Sequence, residues 1–238
     1  MTHAGAVLRQ RVEVVADAAG LAACQALRAR VFTPGAALDA DPFDAASTHL
    51  LVTGVEGEPR ATLRYRFHRP GSDLTASYTG QRYDLSPLRA WPAPILEIGR
   101  FCALPGGGEA EALRLLWGRL ARVVDEAGVS LLIGCSSFPG LAPPCAAFAW
   151  LAENALGPAA LRPGVLAAET IPLNPAPHDR RTALGQMPTL LRTYLGMNGW
   201  TGDHAVIDRA LGTLHVFTAV EVARIPPARA RALRALSP

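Results

Sequence analysis

Glu97 and Arg100 lie three residues apart in the run Glu97-Ile98-Gly99-Arg100-Phe101-Cys102-Ala103, which Pro105-Gly106-Gly107-Gly108 and a helical pattern opening at Glu109 follow. A carboxylate and a guanidinium on an apolar strand, beside a glycine loop that feeds a helix N-terminus, can hold a phosphate next to a general base. That is the layout of an acyl-transfer site. On a regular strand residues three apart point to opposite faces, so the pair shares one wall only if a bulge intervenes, which Gly99 allows. A structural ion pair or a solvated edge is the alternative. The position of Glu97, on the strand leading into the glycine loop, favours the chemical reading.

The loop from Pro105 to Gly108 offers backbone N–H groups with little side-chain obstruction, and the helix after it adds its positive end. Glu109 and Glu111 also suit a helix N-terminus without any ligand. No arginine falls between Arg100 and Arg114, so a diphosphate is poorly served here, whereas the single phosphodiester of a phosphopantetheine arm asks less. A second group is Asp39, Asp41 and Asp44. Carboxylates on one loop commonly cap turns, but closely spaced aspartates also bind the ammonium groups of an amino acid. Arg28, Arg30, Arg64 and Arg66 flank the loop and could pair with it or hold an acceptor carboxylate bidentately.

Other chemistries are excluded or weak. All 23 basic residues are arginine, which removes Schiff-base lysines and the phosphate-loop lysine. His49, His68, His178, His204 and His215 lack ligand spacing, no metal site is expected, and no GxSxG elbow is present. Cys24, Cys102, Cys135 and Cys145 show no CxxC pattern and read as reduced, buried thiols. Cys135 and Ser136 could line a thioester channel. Direct transfer without a covalent enzyme intermediate fits best. A net charge of +3 is too small to imply nucleic acid, although arginine patches could dock an acidic protein or phospholipid head groups.

The elements that must position these groups follow from periodicity. With 238 residues, half of them hydrophobic, the chain can bury a full core and reads as one domain. No run approaches the ~20 apolar residues of a membrane span, and a secretory signal is absent, so a soluble cytoplasmic protein is expected. Val12 to Val15 reads as a strand. Asp17 caps a helix with Leu21, Cys24, Leu27 and Val31 on one face, ended by Pro34 and Gly35. The stretch from Thr33 to Thr48 is a loop, ordered over a site or solvated. His49–Val55 and Arg60–Phe67 form a hairpin, and the stretch from Pro70 to Pro94 is largely loop. Ile95 to Ala103 is a strand, Leu113 to Val124 lies on a helix ended by Gly128, and Ser130 to Cys135 is an apolar strand, which makes a parallel β-α-β unit. Pro143 to Leu156 is helical, 158–188 an irregular arm, Thr189 to Gly196 a short helix and Leu214 to Val222 a closing strand.

Several motifs together resemble one family. They are Arg28-Ala-Arg30-Val31-Phe32, Asp41-x-Phe43-Asp44, His49-Leu-Leu-Val52, Thr62-Leu63-Arg64, Glu97-Ile-Gly-Arg100-Phe101, Leu116-Trp117-Gly118, Gly134-Cys135-Ser136-Ser137-Phe138, Met187-Pro188-Thr-Leu-Leu191-Arg192-Thr-Tyr194-Leu and Ala205-Val-Ile-Asp208. The pattern resembles the bacterial ornithine-lipid acyltransferases, within the Gcn5-related (GNAT) acyltransferase superfamily, from about Arg28 to Val222. The resemblance implies an α/β fold with a mixed, strongly bent sheet flanked by helices, a single domain over 1–238 with a family-specific extension from about 157. It implies transfer of a 3-hydroxyacyl chain from acyl carrier protein to the α-amino group of L-ornithine, giving lyso-ornithine lipid, with no cofactor beyond the carrier's phosphopantetheine arm.

The roles it suggests are Glu97 and Arg100 in catalysis, Asp41, Asp44, Arg64 and Arg28 at the acceptor, and Phe101, Cys102, Ala103, Gly106, Gly107, Gly108 and Ser136 along the donor arm. The family's phosphate loop commonly carries a basic residue that is absent here, so Arg114 and Arg122 are the substitutes for steering the carrier. The acyl-homoserine lactone synthases share the Arg/Phe, Asp/Asp, Arg and Glu-x-x-Arg-Phe pattern, so a lactone synthase, or an acyltransferase for another amino acid, stays open as an alternative. A non-catalytic acyl-carrier or lipid-binding protein is the third reading. An amphipathic product would also bring the enzyme into peripheral contact with the inner face of the cytoplasmic membrane, with the tail from Arg224 to Arg234 as a candidate interfacial helix or a solvated one.

Overall fold

The computed structural model describes residues 10–106 and 108–236. Gly107 of the expected donor loop lies outside the described residues. The described residues divide into two compact units, one made of 10–65, 100–106, 108–123 and 232–236, the other of 66–99 and 124–231.

In the first unit β1 (Arg11–Val14) leads to α1 (Ala18–Phe32), then β2 (Thr48–Thr53) and β3 (Pro59–His68), whose last three residues belong to the second unit. Asp17 starts α1 by accepting the Gly20 N–H at 2.8 Å, as an N-cap aspartate does. Gly35, at φ +99°, takes the chain away beyond its end. β1 pairs antiparallel with β2, and β2 with β3, with a bulge between Val52 and Thr53. Leu27 on α1 packs with Cys102 and Leu104 in a buried cluster.

The second unit contains β4 (Tyr83–Asp84) and most of β5 (Ile95–Ala103), which enters the first unit at Arg100. After α2 (Glu109–Glu126) come β6 (Leu131–Pro139), α3 (Cys145–Asn154), β7 (Gly164–Val165), β8 (Thr170–Pro172), α4 (Arg180–Gln186), α5 (Thr189–Leu195), β9 (Trp200–Asp208), β10 (Thr213–Glu221) and α6 (Pro227–Arg234). β5 and β6 pair in parallel from Ile95–Leu131 to Ile98–Gly134, the expected β-α-β unit, and pairing stops there. β6, β10, β9 and β8 continue antiparallel in that spatial order, so the sheet is mixed.

The register gives this sheet two faces, since side chains alternate along each strand. Ile133, Phe217, Ala219, Val206 and Trp200 face the segment that carries Leu74, Tyr83, Leu85 and Leu88. Phe138, Leu214, Val216 and Ala205 pack with Phe148 and Leu151 of α3 and with Leu191 of α5. Gly134 lets the two parallel strands approach, because a Cβ there would run into the Ile98 carbonyl oxygen.

Four expectations need correction. Trp200–Asp208 is a full strand that periodicity did not reveal, because Gly199, Gly202 and Asp203 imitate a turn and the pairing with β10 is bulged between Val216 and Thr218. Thr213–Glu221 consequently lies inside the sheet rather than closing it. The arm over 158–188 supplies the edge strand β8 and the helix α4. The expectation of buried thiols fails at Cys145, which is exposed, whereas Cys24 and Cys102 are buried and Cys135 partly buried, all with free thiols. The stretch from Pro70 to Pro94 is largely loop, as expected, with 3₁₀ turns at Leu74–Ala76, Thr79–Gln81 and Ser86–Leu88.

Candidate active site

Five of the expected site residues meet in the first unit. The Arg28 side chain on α1 is fully buried and donates to Asp39 Oδ2 at 3.1 Å and to Asp44 Oδ1 and Oδ2 at 2.7 and 3.0 Å, and also to the Asp39 carbonyl. Arg64 on β3 donates to Asp41 Oδ1 at 2.5 Å and Asp44 Oδ1 at 2.6 Å. Arg100 on β5 donates to Asp39 Oδ2 at 2.8 Å and lies 3.3 Å from Asp41 Oδ2. Gln25 Nε2 adds a bond to Asp44 at 2.9 Å. The loop of aspartates is thus ordered, with Asp39 and Asp44 buried, and three arginines face three aspartates.

The cost of burying these charges is offset only because nearly every lone pair finds a donor. Burial pushes the Asp44 carboxyl up, but the bonds from Arg28 and Gln25 pull it down further, well below the usual carboxylate range. Phe32 and Phe43 cover the cluster, each ring 5.7 Å from a guanidinium carbon, of Arg100 and Arg64 respectively. Asp39, absent from the site residues suggested by resemblance, holds two of the three arginines. Its signal in the sequence was its place in the triplet.

Glu97 is not in that cluster. Arg100 takes a left-handed φ of 52°, the break in β5 that Gly99 suggested one residue earlier, while Glu97 belongs to the second unit. There it is 7% exposed. Its Oε1 accepts the Thr79 N–H at 2.7 Å, and its Oε2 lies 3.6 Å from Nε2 of buried His68. Burial pushes the Glu97 carboxyl up, but His68 and the Thr79 bonds outweigh it, so the group is held ionised, below its ordinary range. Register places Glu97 beside Ile133, on the sheet face covered by the 3₁₀ turns. Cys135, on the same face, has Sγ 4.0 Å from Thr79 Oγ1, and burial first, with the Glu97 charge second, pushes its thiol up to about 12.

Of the polar side chains gathered near that face, Tyr78 and Arg82 escaped the sequence reading, while Asp208 entered it only within a family motif and His215 only as a histidine without ligand spacing. The Tyr78 hydroxyl donates to Asp208 Oδ2 at 3.3 Å, and Arg82 Nη2 stands 3.7 Å from the same oxygen. Tyr83 donates to the His215 carbonyl at 2.7 Å. The available signal was the density of polar and aromatic residues from Ser77 to Tyr83 in a connection too long to be a plain turn.

The expected donor residues are scattered. Phe101 packs against Trp117 with the rings tilted at 56° and centroids 5.2 Å apart, and the Cys102 thiol is pushed up to about 12, chiefly by burial, which leaves it no nucleophile. Ala103 is half-buried at the end of β5. Gly106, at φ +117°, donates its N–H to Glu109 Oε1 at 2.9 Å, and Gly108, at φ +77°, accepts from Gln10 at 3.3 Å. Ser136 bonds Thr218 Oγ1 at 2.9 Å on the sheet face opposite Glu97, where Ser136, Ile98, Gly134, Thr218 and Tyr194 line a cleft.

What the arrangement can do is take up a proton at a buried, ionised carboxylate, with no activated thiol among the cysteines beside it. Comparisons with known proteins bear on the family. Residues 24–118 match the acetyltransferase (GNAT) domain model. An L-ornithine N(alpha)-acyltransferase of Rhodobacter capsulatus is 33% identical over 90% of both chains. Another from Agrobacterium fabrum is 30% identical over 85% of this chain and 78% of that one. A solved N-acyl amino acid synthase from uncultured soil microbes superposes with a TM-score of 0.52 at 11% identity, covering 90% of this chain and 92% of that one. The mixed sheet flanked by helices is the GNAT acyltransferase fold, and the enzyme is an N-acyltransferase. The chain belongs to the family of L-ornithine N(alpha)-acyltransferases.

Proposed function

We propose that this enzyme transfers a 3-hydroxyacyl chain from the phosphopantetheine thiol of acyl carrier protein to the α-amino group of L-ornithine, producing lyso-ornithine lipid. The observation that carries the reading is Glu97, a buried carboxylate held ionised on a strand of the acyltransferase fold. An amino acid arrives with its α-nitrogen protonated and unreactive. Glu97 takes that proton, directly or through water, and the freed amine attacks the thioester carbonyl. The C–N bond forms, the C–S bond breaks, and the departing thiolate leaves as the carrier's thiol after gaining a proton. Because an amine and a thioester already react with each other, holding them together supplies much of the acceleration, up to ~7–11 kcal/mol.

Within the first unit the arginine and aspartate cluster is a closed ionic framework, its carboxylates largely engaged by Arg28, Arg64 and Arg100. The donor needs no further cofactor. No helix among the described residues is long and apolar enough to cross a membrane, and release of an amphipathic product favours peripheral contact with the inner face of the cytoplasmic membrane.

The test is to incubate purified protein with 3-hydroxyacyl carrier protein and equal amounts of ornithine, lysine, glutamine, glycine and S-adenosylmethionine, and to identify the products by mass spectrometry. N-acyl-ornithine is the expected product. An acyl-homoserine lactone or another acylated amine would move the acceptor, and carrier binding without turnover would replace the enzyme with a binding protein.

A further inference from the structure

On the sheet face that carries Glu97 there is a pair of opposite charges that the mechanism above leaves unused. The antiparallel registers set Asp208 opposite Thr213, and His215 opposite Ser137, while Phe217 faces Cys135. With alternation along each strand, Asp208, His215, Cys135 and Glu97 therefore share one face. One short segment links them. Thr79 donates its N–H to Glu97, its neighbour Tyr78 donates its hydroxyl to Asp208, and Arg82 lies with its guanidinium carbon 5.6 Å over the Tyr78 ring. The backbone is closely packed here, since a Cβ on Gly80 would strike the Leu74 carbonyl oxygen.

This pair differs from the arginine and aspartate cluster in how its bonds are spent. The Arg82 side chain is 39% exposed and lies 3.7 Å from Asp208, too far for a hydrogen bond. Among the described residues its guanidinium donates no hydrogen bond, so its donors remain available. Asp208 is 3% exposed. One oxygen accepts the Leu211 N–H at 3.1 Å and the other the Tyr78 hydroxyl, which leaves carboxylate lone pairs open. A guanidinium with unspent donors beside a carboxylate with unspent acceptors matches a zwitterion that carries one further positive charge.

Building on the acyl-transfer reading, we propose that Arg82 and Asp208 form the acceptor subsite, Arg82 holding the α-carboxylate of a diamino acid and Asp208 its side-chain ammonium, so that the α-nitrogen is presented to Glu97. An amino acid with a neutral side chain would leave Asp208 without its counter-charge, and the subsite would reject it.

The test measures steady-state kinetics with saturating acyl donor and either ornithine or norvaline, which has the same carbon skeleton without the side-chain ammonium. Wild type is expected to prefer ornithine strongly. Asp208→Asn, which can still accept the Leu211 N–H, should raise KM for ornithine by at least about 10-fold, lower KM for norvaline because the uncompensated charge that rejects it is gone, and leave KM for the acyl donor unmoved. Arg82→Gln should raise KM for both amino acids. If Asp208→Asn fails to fold, Tyr78→Phe carries the same readout with a smaller loss of ornithine preference. An ornithine-to-norvaline ratio unchanged in the aspartate or tyrosine variant, or an unaltered KM in Arg82→Gln, would overturn the assignment. Should wild type acylate no amine at all, the acyl-transfer reading falls, and calorimetry of ornithine binding still decides the subsite. Binding that Arg82→Gln weakens would support it, and no binding to wild type would end it.

Discussion

Arg28 holds both Asp39 and Asp44 with side-chain bonds between 2.7 and 3.1 Å, so its removal would strand two buried carboxylates. Arg28→Met is expected to destabilise the protein by about 3–5 kcal/mol, read as a lower melting temperature. Titration extends the same reasoning. Asp44 has its pKa held low in the fold, so its contribution is fully present above about pH 4, the unfolded carboxylate range, and is lost as pH falls further. His215 acts at a milder pH. Burial, the largest cause, lowers its pKa from 6.5 to about 4 against the pull of Asp208. Between those values the unfolded chain binds a proton that the folded one refuses, so stability falls as pH drops from 6.5 towards 4, by about 3 kcal/mol in all. Melting curves across this range should show that loss, and His215→Phe should reduce it.

Elements decide where these side chains point. β5 is regular through its parallel pairing with β6, then turns at Arg100 with φ 52°. Glu97 and Arg100 belong to different units although only two residues lie between them. The approach of the two strands depends on Gly134, where Gly134→Ala should force Ile98 aside and cost about 1–3 kcal/mol. A denaturant midpoint shift would measure it. At this scale the chain was most legible where periodicity was strong, as in α1 with its Asp17 cap and in the β5-α2-β6 unit. It was least legible at β9, where glycines and a bulge erase the alternation, and from Pro70 to Pro94, where Thr79 finds Glu97 across 18 residues. Such pairings arise from tertiary packing and leave no local period to read. The arginine and aspartate cluster was visible as a set of residue types. Which aspartate each arginine would hold was not.

For the whole molecule, the charge distribution bears on the carrier. Arg114 and Arg122 are exposed on α2, eight residues apart and so on a similar side of the helix. If they steer the acidic carrier protein, reversing both to glutamate should raise KM for the carrier-bound donor severalfold while KM for ornithine stays put, and added salt should weaken the wild-type interaction. An unchanged donor KM would remove α2 from the docking surface. In the proposed reaction Glu97, on the sheet face of the second unit, accepts the proton of the incoming amine. The most direct test is the turnover of folded Glu97→Gln with 3-hydroxyacyl carrier protein and ornithine between about pH 6 and 10. The expected result is a rate ~10²–10⁴-fold below wild type that climbs with pH as ornithine loses its proton to solvent. A wild-type rate with a wild-type pH profile would contradict the role given to Glu97.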